Sequence, residues 1–329
     1  MKKFVSKILA FLSAVTFAVP LTACSEDNGK VHIYMPDGAP AIALSALMDS
    51  GYSGADFTVV TASSIAGHVS SGNADMAIMP INAAAKLYNG GLDIVMLTVN
   101  THGNLYIVGN SGVDELEDLV GMRLGVIGRG NVPDLILRML LEESNVDYVV
   151  SDSAVSGKIA LRYEETGGAL LPLLGKGDID YALLGEPAVT TATTKFEGKV
   201  PVIDMQEAWE LTIGGEYPQA CLVAKGSLVD NRREFVNGFL AALEKSDGWA
   251  EANPDKALQA VKSHMQKGSV SELTALTSNI VKRCNIYTVA AEDKREDCTD
   301  YFKLLTKLEL DNGMTALNKV PDENFYYQP

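Results

Sequence analysis

Four short loops in this sequence carry small, polar or cationic residues directly after apolar runs: Asp37-Gly38-Ala39-Pro40, Ser63-Ser64, Asn82 and Gly128-Arg129-Gly130-Asn131. A helix that opens after such a run has unpaired N–H groups and a partial positive charge at its start, so each loop could offer hydrogen bonds to a small molecule. Asp37 is a suitable N-cap, Gly38 and Ala39 let a ligand approach the backbone, and Pro40 is tolerated in a first helical turn. Ser63, Ser64 and Asn82 admit the same two roles, capping or ligand contact. Asn131 can cap the segment Val132-Pro133-Asp134. Arg129 is the cation of these loops and would meet an anionic group, although a solvated surface arginine fits the same surroundings. Asp134 already supplies negative charge to that helix start, so an anionic ligand does not follow. Thr98 closes the apolar run Ile94 to Leu97, and Glu186 and Tyr217 flank two later runs. Glu186 could accept from an amine or ring N–H, or sit in a structural ion pair. Tyr217 could stack on a planar ligand or pack inside.

No catalytic pattern stands beside these loops. His32, His68, His102 and His264 are scattered, without metal-ligand spacing, and none adjoins a nucleophile in a pattern such as Gly-x-Ser-x-Gly. No Walker or Gly-x-Gly-x-x-Gly segment occurs, and neither a metal nor a cofactor is expected. Cys221 lies in the apolar run Ala220 to Ala224 and reads as a core thiol. Cys284 and Cys298 enclose a short segment, and a disulfide between them would stabilise an exported chain by about 3 kcal/mol on the loop-entropy model.

The elements that position the loops form a repeated pattern. Val31 to Met35, Phe57 to Val60 and Met76 to Met79 read as strands, with helical segments near 39–49 and 64–71 between them. That order implies parallel strands joined by crossover helices. A second set follows: a strand at Arg123 to Ile127, a helix carrying Leu135, Ile136, Met139 and Leu140 on one face, a strand near 147–150 and a helix through Leu170 to Leu174. Gly72-Asn73-Ala74-Asp75-Met76-Ala77-Ile78-Met79 then recurs as Gly177-Asp178-Ile179-Asp180-Tyr181-Ala182-Leu183-Leu184, at an offset of 105. Two related α/β lobes are expected, each a mostly parallel sheet flanked by helices. Leu105 to Val108 and Ala220 to Ala224 would form a two-strand hinge below a cleft. The expected division is 31–112 for the first part of lobe 1, 113–214 for lobe 2, and 215–329 for the return to lobe 1 and the C-terminal helices. Ligands of open parallel sheets sit beyond the C-terminal strand ends, where the four loops lie.

The N-terminal residues have a separate logic. Lys2, Lys3 and Lys7 precede an apolar stretch from Ile8 to Val19 that is too short to cross a membrane, and Leu21-Thr22-Ala23 precede Cys24. Residues 1–23 read as a secretory signal peptide and 24–30 as a polar tether. Removing the signal, which holds three lysines and no acids, takes the formal charge from −15 to −18. So negative a body argues against nucleic acid as a partner.

Leu-Thr-Ala-Cys resembles the lipobox of bacterial lipoproteins, which implies a lipid on Cys24. Met35-Pro36-Asp37-Gly38-Ala39-Pro40 after the first strand, Gly-x-x-Asp-x-Ala before the third, and Gly185-Glu186-Pro187-Ala188 after the second-lobe strand resemble solute-binding proteins of bacterial ABC importers. The nearest group is the one serving nitrate, sulfonates, taurine and thiamine-pyrimidine precursors. The resemblance spans the chain from about residue 31 to at least 250. It implies a type II periplasmic-binding-protein fold and a monomer that captures a small solute between two lobes. It further implies delivery to an ABC permease and ATPase, with the protein held on the outer face of the cell membrane by its lipid. Two other outputs belong to the same fold: a ligand receptor for a sensory system, and a biosynthetic enzyme. Few charges in the cleft loops and Tyr217 favour a small planar or zwitterionic solute over nitrate or a sulfonate.

Overall fold

The structure, a computed structural model, describes residues 29–311, 317 and 319–329; Cys24 and the signal segment lie outside them. Among the described residues, twelve strands form two sheets of six. In chain order they are β1 (Val31–Pro36), β2 (Ala55–Val60), β3 (Met76–Pro80), β4 (Ile94–His102), β5 (Leu105–Asn110) and β6 (Arg123–Ile127), then β7 (Tyr148–Val150), β8 (Ile159–Glu164), β9 (Tyr181–Gly185), β10 (Lys199–Asp204), β11 (Pro218–Lys225) and β12 (Ile286–Ala290). The first sheet has the order β12-β4-β11-β3-β1-β2 and the second β10-β5-β9-β6-β8-β7.

Both sheets are mixed, with a parallel block completed by antiparallel strands. β2, β1 and β3 are parallel, as are β7, β8, β6 and β9. β11 and β5 run antiparallel beside β3 and β9. Four strands beyond those read from the sequence complete the sheets: β4, β8, β10 and β12. β10 and β12 are edge strands, and β10 carries Pro201, which an edge tolerates and a central strand does not. The helical segment expected at 39–49 is two helices, Ala39–Ala43 and Ser45–Ser50, meeting at Leu44.

The repeat at an offset of 105 is a physical repeat. Asp75 takes a hydrogen bond from the His32 N–H (2.9 Å), and Asp180 takes one from the Arg123 N–H (2.8 Å). The Asp75 and Asp180 N–H groups donate back to the His32 and Arg123 carbonyls, both at 2.9 Å. Each acid thus fastens the start of one parallel strand to the start of its neighbour. Gly72 and Gly177 turn the chain ahead of them with the same left-handed φ of 76°, a conformation that glycine adopts without a Cβ clash. A cation completes each unit: Lys225 Nζ meets Asp75 and the Gly72 carbonyl, and Arg123 meets Asp180 and the Gly177 carbonyl.

Strand directions place the working edges. β4 is antiparallel to β11 and β11 to β3, so β1, β2, β3 and β4 all end on one edge of the first sheet. By the same count β6, β7, β8, β9 and β10 end on one edge of the second, where β5 begins. Only Gly103 and Asn104 separate the end of β4 from the start of β5, so these two edges face each other. The chain returns from the helix Met205–Thr212 through 213–217 into β11 beside that crossing.

The core crosses with the chain. Tyr217, fully buried, packs edge-on against Trp209 with ring centroids 5.4 Å apart, and Trp209 meets Tyr301 of the helix Arg295–Asp311. This helix was expected on the first lobe; it also touches the second, where Lys307 lies 3.6 Å from Glu143. The disulfide weighed for Cys284 and Cys298 is not formed, and all three described cysteines are free and buried. Cys284 packs with Leu222 on one face of the first sheet, whereas Cys298 packs with Cys221 and Val223 on the other. Successive residues of β11 point to opposite faces, so the sheet itself stands between the two thiols.

Candidate functional site

The site is the gap between the facing edges. On the first lobe it is bounded by the ends of β1, β3 and β4, and on the second by the loops after β6, β8 and β9. The lobes touch across it. Asn82, in the first turn of the helix Ile81–Asn89, donates from Nδ2 to the Gly130 carbonyl at 3.3 Å. Arg283, the last residue of the helix Ser278–Arg283, places Nη2 2.9 Å from Glu186 Oε1 and its guanidinium 5.0 Å from the Tyr106 ring centre. The Glu272 carboxylate lies against the first turn of the helix Gly167–Lys176, with Oε2 3.5 Å from where a Cβ on Gly168 would sit.

Asp37, directly after β1, does not cap the following helix. The N-cap is Gly38 at φ 106°, with no side-chain cap, and Ala39 and Pro40 begin the first turn. The Asp37 carboxylate instead accepts from Ser271 Oγ at 2.8 and 3.0 Å and from the Glu272 N–H at 2.7 Å. It therefore pins the segment ahead of Leu273 onto the end of β1. Burial, and secondly the charge of Asp37, push the Glu272 carboxyl above the usual range. Ser63 and Ser64 lie in a short 3-10 turn, Ala62–Ser64, and among the described residues their side chains bond to Thr61, so they form a local turn at the end of β2.

Thr98 is buried within β4 and donates to Asn100 Oδ1 at 2.7 Å. Asn100 and Asn104 are 0 % and 3 % exposed, and Asn100 Nδ2 and Asn104 Oδ1 have no hydrogen-bond partner among the described residues. Asn82 Oδ1 is likewise buried and unpartnered.

In the second lobe Asn131 occupies the N-cap of the helix Val132–Glu143, but its side chain makes no capping bond. Asp134, one turn in, does that work: Oδ2 accepts from the Gly130 N–H at 2.8 Å. Its Oδ1 accepts from Arg138 Nε and Tyr163 Oη, both at 2.7 Å. Burial opposes the charge on Arg138, but the Asp134 bond outweighs it and raises the guanidinium pKa. Arg129 is exposed and lies 5.5 Å from the Tyr163 ring centre. Glu186 is fully buried, holds the Thr190 N–H and hydroxyl, and is raised in pKa by burial, partly offset by Thr190 and Arg283. Its ion-pair role is thus the observed one. Tyr217 likewise packs in the core and turns no face to the gap.

Sequence reasoning missed Asn100, Asn104, Ser271, Glu272 and Arg283. The two asparagines had a readable signal: Thr98, Asn100, His102 and Asn104 put polar groups at every second position of an otherwise apolar run. Ser271, Glu272 and Arg283 reach the edge from more than 160 residues further along, with no local signature. A separate hollow of about 110 Å³, lined by Ser45, Asp247, Glu251, Lys282 and Tyr287 among others, contains none of the sequence-derived site residues. Among the described residues, no group of three His, Cys, Asp or Glu side chains could hold a metal ion.

Residues 59–257 match the family model described as NMT1/THI5 like. No curated protein matches the chain. Among solved structures, an ABC transporter protein from Parabacteroides distasonis is similar with a TM-score of 0.74 and 21% identity, covering 91% of this chain and 99% of that one. The periplasmic aliphatic sulphonate binding protein SsuA of Escherichia coli gives 0.66 and 13%, covering 92% of each chain. The ligand binding component of an ABC-type import system from Staphylococcus aureus, solved with zinc bound, gives 0.62 and 14%, covering 91% and 96%. These likenesses establish the two-lobe periplasmic-binding-protein fold.

Proposed function

From the premise that this chain belongs to the NMT1/THI5-like family, we propose that it is a solute-binding protein that captures a small molecule between its lobes and hands it to an ABC importer. One observation carries the reading: the C-terminal strand edges of two matched sheets meet across a two-residue crossing, with Asn82 of one reaching the Gly130 carbonyl of the other. Ligands of open α/β sheets bind beyond such edges. The similarity to an ABC transporter protein, a periplasmic sulphonate binding protein and the ligand binding component of an ABC-type import system supports the same reading. No nucleophile–base pair is apparent in the gap, and the reading is of binding without catalysis. The solute would be held by the Asp37–Pro40, Asn82 and Arg129–Asn131 loops, with permease and ATPase subunits as downstream partners.

The test is closure. Thermal-shift screening finds the solute, because a ligand held only by the folded state raises its apparent stability. Small-angle scattering with that solute should then show a more compact particle than in its absence, and an unchanged particle would count against the proposal. The membrane address rests on Cys24, with Leu-Thr-Ala before it. Among the described residues no helix is long and apolar enough to span a bilayer. A lipid on Cys24 would keep the receptor beside its permease. Cys24→Ser should move the protein from the membrane fraction to the medium; retention on the membrane would refute lipid anchoring through this residue.

A further inference from the structure

The three described cysteines divide two to one. Cys221 and Val223 of β11 lie in the core that also holds Cys298, whereas Leu222 and Cys284 lie in the core on the opposite side of the sheet. Side chains alternate along β11, so the Cys221 thiol leaves the sheet on the side covered by the helix Arg295–Asp311. That helix carries Cys298 on its buried side, together with Tyr301, Phe302 and Leu305. Cα atoms of the helix and of β11 come within 8 Å of each other, next to the roughly 4.4–6.8 Å that a disulfide spans.

The surroundings link the same two thiols. Burial, and after it the charge that Cys298 would carry, push the Cys221 thiol well above its ordinary range. Tyr326 Oη lies 3.4 Å from the hydroxyl of Thr299, the residue after Cys298. Burial raises this phenol, Thr299 opposes the rise, and both Cys298 and Cys221 add to it. Cys284 has no part in this group, because the sheet stands between.

We infer that Cys221 and Cys298 are an oxidation site: a disulfide-bearing oxidant converts the pair to a cystine that staples the helix Arg295–Asp311 to the return strand β11. The structure holds the dithiol form. One cysteine thiolate attacks the oxidant's disulfide, forming a mixed disulfide and releasing one thiol. The second cysteine attacks the protein sulfur of that mixed bond and releases the other thiol. Two protein thiols thereby lose two electrons and two protons, and the oxidant's disulfide becomes two thiols. Thiolates do this work, and burial pushes Cys298 up to about 12, so the folded dithiol is protected. The bond is therefore made during folding, before the helix docks. Its ring takes in residues 222–297, and a loop of that length constrains the unfolded chain strongly. The staple also fixes the seat of a helix that reaches the second lobe at Glu143. Oxidants of this class are met outside the cytoplasm, where the signal segment would send the chain.

The test uses the full chain with Cys24→Ser, so that three thiols remain to be counted. Unfolded in reductant and refolded with glutathione and glutathione disulfide, it should show one thiol in denaturant in place of three. Mass spectrometry of its digest should show a Cys221–Cys298 peptide. Thermal unfolding of the oxidised form should lie about 5–10 °C above that of the reduced form. Cys284→Ala should keep the bond and the shift, and Cys221→Ala should lose both. The same thiol count on protein recovered from outside the cells answers the question without refolding. Three thiols in the oxidised samples, or a bond that includes Cys284, would overturn the inference. A Cys221–Cys298 bond with no rise in Tm would overturn the staple. Equal loss of thiols when the oxidant is added only after folding would overturn the order of events. Solute plays no part in these measurements, so their outcome leaves the binding-protein reading where it stands.

Discussion

Behind its cleft loop the second lobe satisfies its own polar groups, while the first lobe satisfies Asp37 but leaves Asn82 Oδ1 and Asn100 Nδ2 open. Asp134 takes a backbone N–H, a guanidinium and a phenol, and Arg138 in turn donates to Tyr163. At the corresponding edge of the first lobe, Asn82 spends its donor on the other lobe and keeps a bare acceptor, and Asn100 and Asn104 each keep one unmatched group. The strand units behind the two edges are matched hydrogen bond for hydrogen bond at Asp75 and Asp180. Scaffold and edge therefore separate: the repeated acids build the sheets, and the lobes differ where the strands end. A buried polar group that is matched contributes rigidity, whereas one left open costs stability until something binds.

Breaking the matched side should have the largest effect. Asp134→Ala strands the charge of Arg138, which is only 6 % exposed, and removes the bond to the Gly130 N–H. Removing one partner of a buried ion pair costs about 3–5 kcal/mol. Urea unfolding should show that loss, and a cost below about 1 kcal/mol would mean that the pair is not what holds the second-lobe edge.

Next in size is a pH effect confined to the first lobe. His102 ends β4, is 1 % exposed, and stacks on Tyr287 with centroids 3.7 Å apart. Burial, partly offset by the charge of Glu216, lowers its pKa from 6.5 to about 4. The unfolded chain therefore takes up this proton first as pH falls. The stability is present above pH 6.5 and is lost between 6.5 and about 4. At about 1.4 kcal/mol per pH unit this is roughly 3 kcal/mol. Glu186 and Glu272, raised by burial, act with the opposite sign, so the measurement is the difference between wild type and His102→Gln across that range. Parallel curves for the two proteins would show that His102 titrates alike folded and unfolded.

The matched scaffold gives a smaller effect. Asp180→Ala removes bonds to the Arg123 N–H and guanidinium, but both side chains are partly exposed, at 36 % and 28 %, so water compensates much of the loss. A cost of about 1–2 kcal/mol is expected in thermal unfolding. The Arg123 bond lowers the Asp180 carboxyl pKa, burial opposing it, so this contribution holds above the ordinary carboxylate range and fades as pH falls through the lowered value.

What the sequence made legible follows the same division. The strand runs at 31–35, 76–79 and 123–127, the offset of 105 and the second strand of the crossing were all readable, because each is a local pattern of apolar residues and turn glycines. The site was legible only where it is local. Asn82 and the Gly128–Asn131 loop follow their strands directly and do lie at the edge. The partners of Asp37 and Glu186 arrive from residues 271, 272 and 283, and no local pattern links residues so far apart. Tyr217 was ambiguous for a different reason: a tyrosine beside a crossing can face either way, and Trp209 and Tyr301 decide it from other elements. Cys284 and Cys298 are close in sequence, but a sheet separates the cores in which they lie.

The smallest effect gives the sharpest distinction between capping and an open edge. An asparagine at an N-cap ordinarily contributes about 1 kcal/mol through its side-chain bond to the first helical turn. Asn131 holds that position without making the bond, and Asp134 Oδ2 takes the Gly130 N–H one residue earlier. Asn131→Ala should therefore shift thermal unfolding by less than about 0.5 kcal/mol, the range of an uncommitted surface residue. Its side chain would be kept for the gap, so affinity for the solute found by screening should fall while stability stays level. A stability cost near 1 kcal/mol with affinity unchanged would reverse the assignment: Asn131 would be a cap, and the solute would be held by the first-lobe edge alone.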